Sequence, residues 1–174
     1  MRVAAVLAVL VLALPGALGQ QVQEYDLKAA FLYNFALLTD WPRSAAIAPD
    51  AGFRICIIGH NPFGNSLAKI EGKPVHGRRI ALRDIASPNA ARDCHVLFIA
   101  APGSGALNAV IESLGESSVL TVAESDDDRA TAAAITLLTR DQHVSFAVNL
   151  GAARRAQLHI SPRLLRLAVR VVGE

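Results

Sequence analysis

"FRICIIGHNPFGNSLAKI", residues 53–70, is the stretch whose reading decides the fold. Its first seven residues are a continuous apolar run rich in β-branched side chains, the pattern of a strand buried on both faces. "NPFGNSLAKIEGK" then supplies a turn and a short helix through Ile70. The same order recurs downstream. "HGRRIALRDI" reads as a strand alternating around Ile80 and Leu82, and "CHVLFIA" (94–100) as another continuous apolar strand. The turn "APGSG", a helix through Leu114 and the strand "SVLTVAE" (118–124) follow. Strands alternating with helices imply a largely parallel sheet covered on both faces. Further on, "AAAITLLT" and "HVSFAVN" flank the short polar turn "RDQ" and predict an antiparallel hairpin. Asn149 begins a helix through Gln157, and Ser161-Pro162 caps and opens a last helix. The expected fold is α/β: a three-layer α/β/α sandwich with a mostly parallel mixed sheet and a C-terminal antiparallel hairpin.

Upstream lies "KAAFLYNFALLTDWP" (28–42), the centre of a helix expected from about Glu24 to Leu38 and ended by Trp41-Pro42. At about 100° per residue, Leu27, Phe31, Phe35 and Leu38 share one face, with Asn34 beside it. Tyr25, Ala29, Leu32 and Ala36 lie roughly opposite and are also apolar. A helix apolar nearly all round must be buried on both sides, yet an outer helix of a sandwich has one side to bury. The expectation is that Tyr25, Ala29, Leu32 and Ala36 meet another protein; the alternative is that the loop after Pro42 covers them. Asn34 reads as a buried amide bonded to nearby backbone.

Composition narrows the class. The chain has 174 residues, 52% hydrophobic and 18% charged, with a net charge of +2, and its mean hydropathy is +0.35. That excludes disorder and the dense basic stripe of a nucleic-acid binder. The opening "MRVAAVLAVLVLALPGALGQ" places Arg2 before an apolar run of twelve residues and ends in a small-x-small sequence at Ala17-Leu18-Gly19. This is the pattern of a secretory signal peptide over residues 1–19, too short to span a bilayer. Residues 20–174 then form one domain, exported to a bacterial periplasm. The chain's two cysteines, Cys56 and Cys94, would close a 38-residue loop as a disulfide in that oxidising compartment. Two buried free thiols are the alternative.

Candidate chemistry is sparse. "GHNPFGNSL" sits where a buried strand meets a helix, the usual ligand end of such sheets, so His60, Asn61, Phe63 and Gly64 are candidate ligand-binding residues. The turn lacks a dinucleotide fingerprint or a phosphate loop, and a tight structural turn is the plainer reading. No two of the five histidines stand at helical ligand spacing, and no Gly-x-Ser-x-Gly elbow is present. No catalytic residue, metal site or cofactor is expected. On the last helix Arg163, Arg166 and Arg170 fall on one face opposite Leu165, Ala168, Val169 and Val172. That basic face is either solvated or directed at an acidic partner or anionic headgroup.

These motifs, in order, resemble the YfiR-like family of secreted bacterial proteins. The matching runs are "KAAFLYNFALLTDWP", "CIIGHNPFGNSL", "GRRI", "CHVLFIA", "VLTV", "VSFAVN" and "LHISPRLLRLA". The resemblance implies a periplasmic repressor that binds the periplasmic region of an inner-membrane diguanylate cyclase and lowers cyclic-di-GMP. It also implies a homodimer, release by an outer-membrane lipoprotein, and a disulfide matching Cys56 and Cys94. The sequence departs from the family pattern in having no cysteine after Cys94, and in Ala133-Ala134 where a glycine pair is common.

Overall fold

The computed structural model describes residues 16–42, 52–100, 103–125 and 132–173. The apolar run of the expected signal peptide and the loop 43–51 lie outside these residues. Helix α1 spans Gly16–Leu37 and is followed by the two-residue strand β1, Thr39–Asp40. From Gln20 to Leu37 the helix contains neither Gly nor Pro, and Glu24 and Lys28 form an i,i+4 ion pair in the favourable order.

Strand β2 (Phe53–Gly59) pairs in parallel with β4 (Arg78–Ile85) on one side and β5 (Val96–Ala100) on the other. Strand β6 (Leu120–Ser125) lies parallel to β5, and β7 (Ile135–Arg140) parallel to β6. Helix α2 (Ser104–Leu114) connects β5 to β6. The hairpin is present: β7 and β8 (His143–Asn149) pair antiparallel through Asp141 and Gln142, both at positive φ, as a two-residue turn demands. Asn149 caps α3 (Leu150–Arg155) by accepting from the Ala152 amide. A short strand β3 (Pro74–Val75), which the sequence reading did not identify, pairs antiparallel with β4 through the turn His76-Gly77. With β10 (Arg170–Val172) at one edge, the eight-stranded order is β10-β8-β7-β6-β5-β2-β4-β3; β1 pairs separately with β9 (His159–Ile160). The helix expected through Ile70 is a turn plus a single 3-10 segment, Leu67–Lys69.

Alternate residues of β2 enter two cores. Ile55 and Ile57 join Leu32, Phe35, Phe98, Phe146, Ala153 and Leu164. Cys56 and Ile58 join Leu97, Ile99, Leu107 and Leu114. A strand buried on both faces explains its unbroken apolar run. Cys56 and Cys94 form a disulfide in the second core, with Cα atoms 6.0 Å apart.

Two expectations about surfaces are corrected. Ala29, Leu32 and Ala36 are buried in the first core, while Tyr25 packs edge-on against Phe63. The outward residues of α1 are instead Leu27, Ala30, Asn34 and Leu37. Small Ala29 and Ala36 let the helix approach the sheet closely, and Lys28, 3% exposed, is drawn inward by ion pairs to Glu24 and Glu124. Asn34 does bond nearby backbone, donating to the Ala30 carbonyl, but it is exposed. The last helix, α4, is one turn, Pro162–Leu165. Arg170 belongs to strand β10 (Arg170–Val172), parallel to β8, so the three arginines share no helix face. The backbone groups of β8 gain a partner this way, and β-branched Val169, Val171 and Val172 suit the extended conformation.

Candidate functional site

A polar cavity lies at the N-terminal ends of the strands, away from the turn at 60–64. Trp41-Pro42 leave β1, Phe53 opens β2, Arg78 opens β4 and His95 immediately precedes β5. Together with Asp40 and His76 they line a cavity of 280 Å³. The His76-Gly77 turn carries His76 back to α1. There its Nε2 donates to the carbonyls of Ala36 and Thr39, 3.0 Å from each, satisfying acceptors that a helix end leaves open. His95 is 4% exposed. Its ring stacks on Phe53 at 4.4 Å, and Trp41 meets Phe53 edge-on at 5.2 Å. Burial, and then the nearby Arg78 and Arg54 charges, hold the His95 pKa down at about 4, so the ring is neutral in neutral solution. The disulfide at Cys94 anchors the residue before it. The arrangement is an aromatic box with one guanidinium, one neutral imidazole and a carboxylate at hand.

At the opposite strand ends the predicted turn is largely self-satisfied. Asn61 Oδ1 accepts from the Phe63 amide and Nδ2 donates to Asp84. Phe63 is a core residue, packed on Phe98, and His60 is exposed and lines neither neighbouring cavity. Phe63 and Gly64 do border a 320 Å³ cavity with Tyr25, Asp26 and Lys69. Asn61 and Gly64 border a smaller one, of 170 Å³, with Leu82 and Asp84. Gly59 is structural: a Cβ there would lie 2.2 Å from the Ala100 carbonyl oxygen.

A second polar cluster fastens α1 to the sheet. Lys28 pairs with Glu24 and with Glu124 at 3.2 Å, and Glu24 accepts from Thr139 at 3.0 Å. Burial opposes the Lys28 charge, but Glu24 and Glu124 outweigh it and its pKa is raised. Glu24, which burial alone would push up, is held below its ordinary range by Lys28 and Thr139. Every charge here has a partner, which suits a latch better than a reactive site. Among the described residues no three His, Cys, Asp or Glu side chains group as a metal set, and no helix is long and apolar enough to cross a membrane.

The sequence model of the YfiR/HmsC-like family matches residues 25–169, from within α1 to just before β10. The chain belongs to that family. In this YfiR/HmsC-like chain the matched segment contains both cavity-bearing strand ends and the disulfide. Ala133 and Ala134, which stand where the resemblance implies a glycine pair, are both buried, and the Ala134 amide donates to Thr121 Oγ1 at 2.9 Å. The Trp41 cavity escaped the sequence reading because its residues come from four separate segments. The one local signal was a histidine directly after a bridged cysteine and before a buried strand.

Proposed function

We propose that this YfiR/HmsC-like chain is an exported, periplasmic, non-catalytic regulator. It binds the periplasmic part of an inner-membrane diguanylate cyclase, holds the enzyme inactive and so lowers cyclic-di-GMP. The family match over residues 25–169 carries this reading. A homodimer, relieved of its partner by an outer-membrane lipoprotein, completes it. With Ala29, Leu32 and Ala36 buried, the contact surface moves. Leu167 and Val169 are 64% and 63% exposed, and Arg163, Arg166 and Arg170, near them along the chain, are exposed as well. Exposed apolar residues in a basic segment suit a protein contact with an acidic partner.

Deletion of the gene should raise intracellular cyclic-di-GMP, and the wild-type protein should recover a cyclase from solubilised membranes. Unchanged cyclic-di-GMP on deletion would sink the proposal. A Leu167→Asp/Val169→Asp variant with wild-type melting should fail to complement the deletion. Full complementation would move the contact elsewhere on the surface.

A further inference from the structure

Arg54, Arg78 and His95 pose a problem of proton counting. The Arg54 backbone nitrogen can only donate, and it lies 2.9 Å from His95 Nδ1. Nδ1 must therefore present its lone pair, and a neutral imidazole then carries its single proton on Nε2. That Nε2 lies 3.0 Å from Arg78 Nη1, and a guanidinium has no lone pair to offer. Two N–H groups face each other at hydrogen-bond length. Protonating the ring would set a second N–H against the Arg54 amide, in a buried place beside two arginines.

The conflict ends when Arg78 draws back and an acceptor takes its place against His95 Nε2. An oxygen can take one N–H from His95 Nε2 and another from Arg78, and both residues line the 280 Å³ cavity. No described carboxylate forms an ion pair with Arg78, so an anionic oxygen would also meet an uncompensated charge. The remaining lining is apolar Trp41, Pro42 and Phe53, with exposed Asp40 and His76 beside them. Trp41 Nε1 is shielded and has no acceptor, so the indole loses no hydrogen bond if it shifts to admit a ligand. With Asp40 already on the lining, one cation, one neutral donor and flat apolar walls leave room for at most a monoanion. A dianionic phosphate would bring a second charge into a space that offers it no partner.

We propose that this cavity binds a small organic carboxylate with a flat apolar body. The carboxylate accepts from Arg78 and His95 Nε2, and the body lies against Trp41 and Pro42. The site stands independently of the regulator reading, since it is defined by binding to the purified chain.

The test titrates the full exported protein with benzoate, with its neutral counterpart benzamide, and with inorganic phosphate. Calorimetry follows binding, and nitrogen-15 spectra follow the histidine rings. Benzoate should bind saturably at one site and shift the His95 ring nitrogens, with Nδ1 unprotonated in the free protein. Benzamide and phosphate should bind far more weakly. Arg78→Gln should weaken benzoate at least about tenfold, as loss of a charge-assisted hydrogen bond implies, with melting and near-UV dichroism unchanged. Arg78→Lys, which keeps the charge without the fork, should fall between, and Lys69→Gln at the other cavity should match wild type. The proposal is overturned if benzamide or phosphate binds as tightly as benzoate. It is equally overturned if millimolar benzoate does not bind, if a folded Arg78→Gln protein keeps full affinity, or if Nδ1 carries the proton.

Discussion

Replacing both bridged cysteines, as Cys56→Ala/Cys94→Ala, removes one covalent constraint and leaves the strand register in place. Cys56 lies mid-way along β2, and Cys94 precedes β5, which already pairs with β2 from Ile55↔Val96 onward. The bridge therefore acts mainly on the unfolded chain. With 38 residues between the two sulfurs, loop-closure entropy amounts to about 13 cal/mol/K, or roughly 4 kcal/mol at 25 °C. Unfolding entropy of about 2.1 cal/mol/K per residue, over roughly 150 ordered residues, turns that into a fall of about 12 °C in melting temperature. Guanidinium denaturation with and without reductant measures the loss. Wild type should drop by this amount when reduced, and the double alanine variant should start low and ignore reductant. The denaturant slope should rise slightly, because the freed unfolded chain exposes more surface. The reasoning fails if reduced and oxidised wild type share one midpoint, or if the variant lies within about 1 kcal/mol of wild type.

Three further outcomes follow from the described contacts. Leu32→Ala should cost about 2–5 kcal/mol, since the side chain is fully buried, whereas Leu27→Ala, at 45% exposed, should cost under about 0.5; the reverse order in urea melts would mean α1 is turned the other way. His95 has its pKa lowered from 6.5 to about 4 by burial and then by Arg78 and Arg54. The unfolded chain thus binds its proton first as pH falls, and stability should drop by up to about 3 kcal/mol between those two values. His95→Gln should flatten that part of the curve, and an unchanged slope would contradict the assignment. For Lys28 and Glu24 the signs oppose. Lys28, raised, contributes stability lost as pH climbs past its ordinary value of 10.5, and Glu24, lowered, contributes stability lost as pH falls through the carboxylate range. Lys28→Met leaves two glutamates, each 29% exposed at the side chain, facing one another. It should cost about 2 kcal/mol, less than a fully buried pair, and no change in denaturation midpoint would show the latch to be idle.

Much of the architecture was legible because it rests on local periodicity. "FRICIIG", "CHVLFIA" and "HVSFAVN" each declare a strand by unbroken or alternating apolar character, and "RDQ" and "SP" mark their turn and cap through backbone chemistry alone. The C-terminal arginines misled for the opposite reason. Spacings of three and four residues are all that a helix and a loop-plus-strand have in common there, and the free edge of β8 decided in favour of the strand β10. The candidate ligand turn at 60–64 was placed by fold-level analogy. The cavity with the less satisfied polar groups lies at the other end of the same strands.

By itself the sequence determined the main strands β2 and β4 to β8, the largely parallel sheet with its terminal hairpin, the family and the pair of cysteines available to bridge. It also determined that α1 carries two apolar faces. Which face turns inward was decided only by tertiary structure. Its partners, Phe63, Glu124 and Phe146, lie far along the chain and become neighbours only once the sheet has closed. The same holds for Trp41, Arg78 and His95. A side chain's own type sets which protons it can give or take, but the neighbour that makes two donors confront each other is chosen by strand register, which no local pattern encodes.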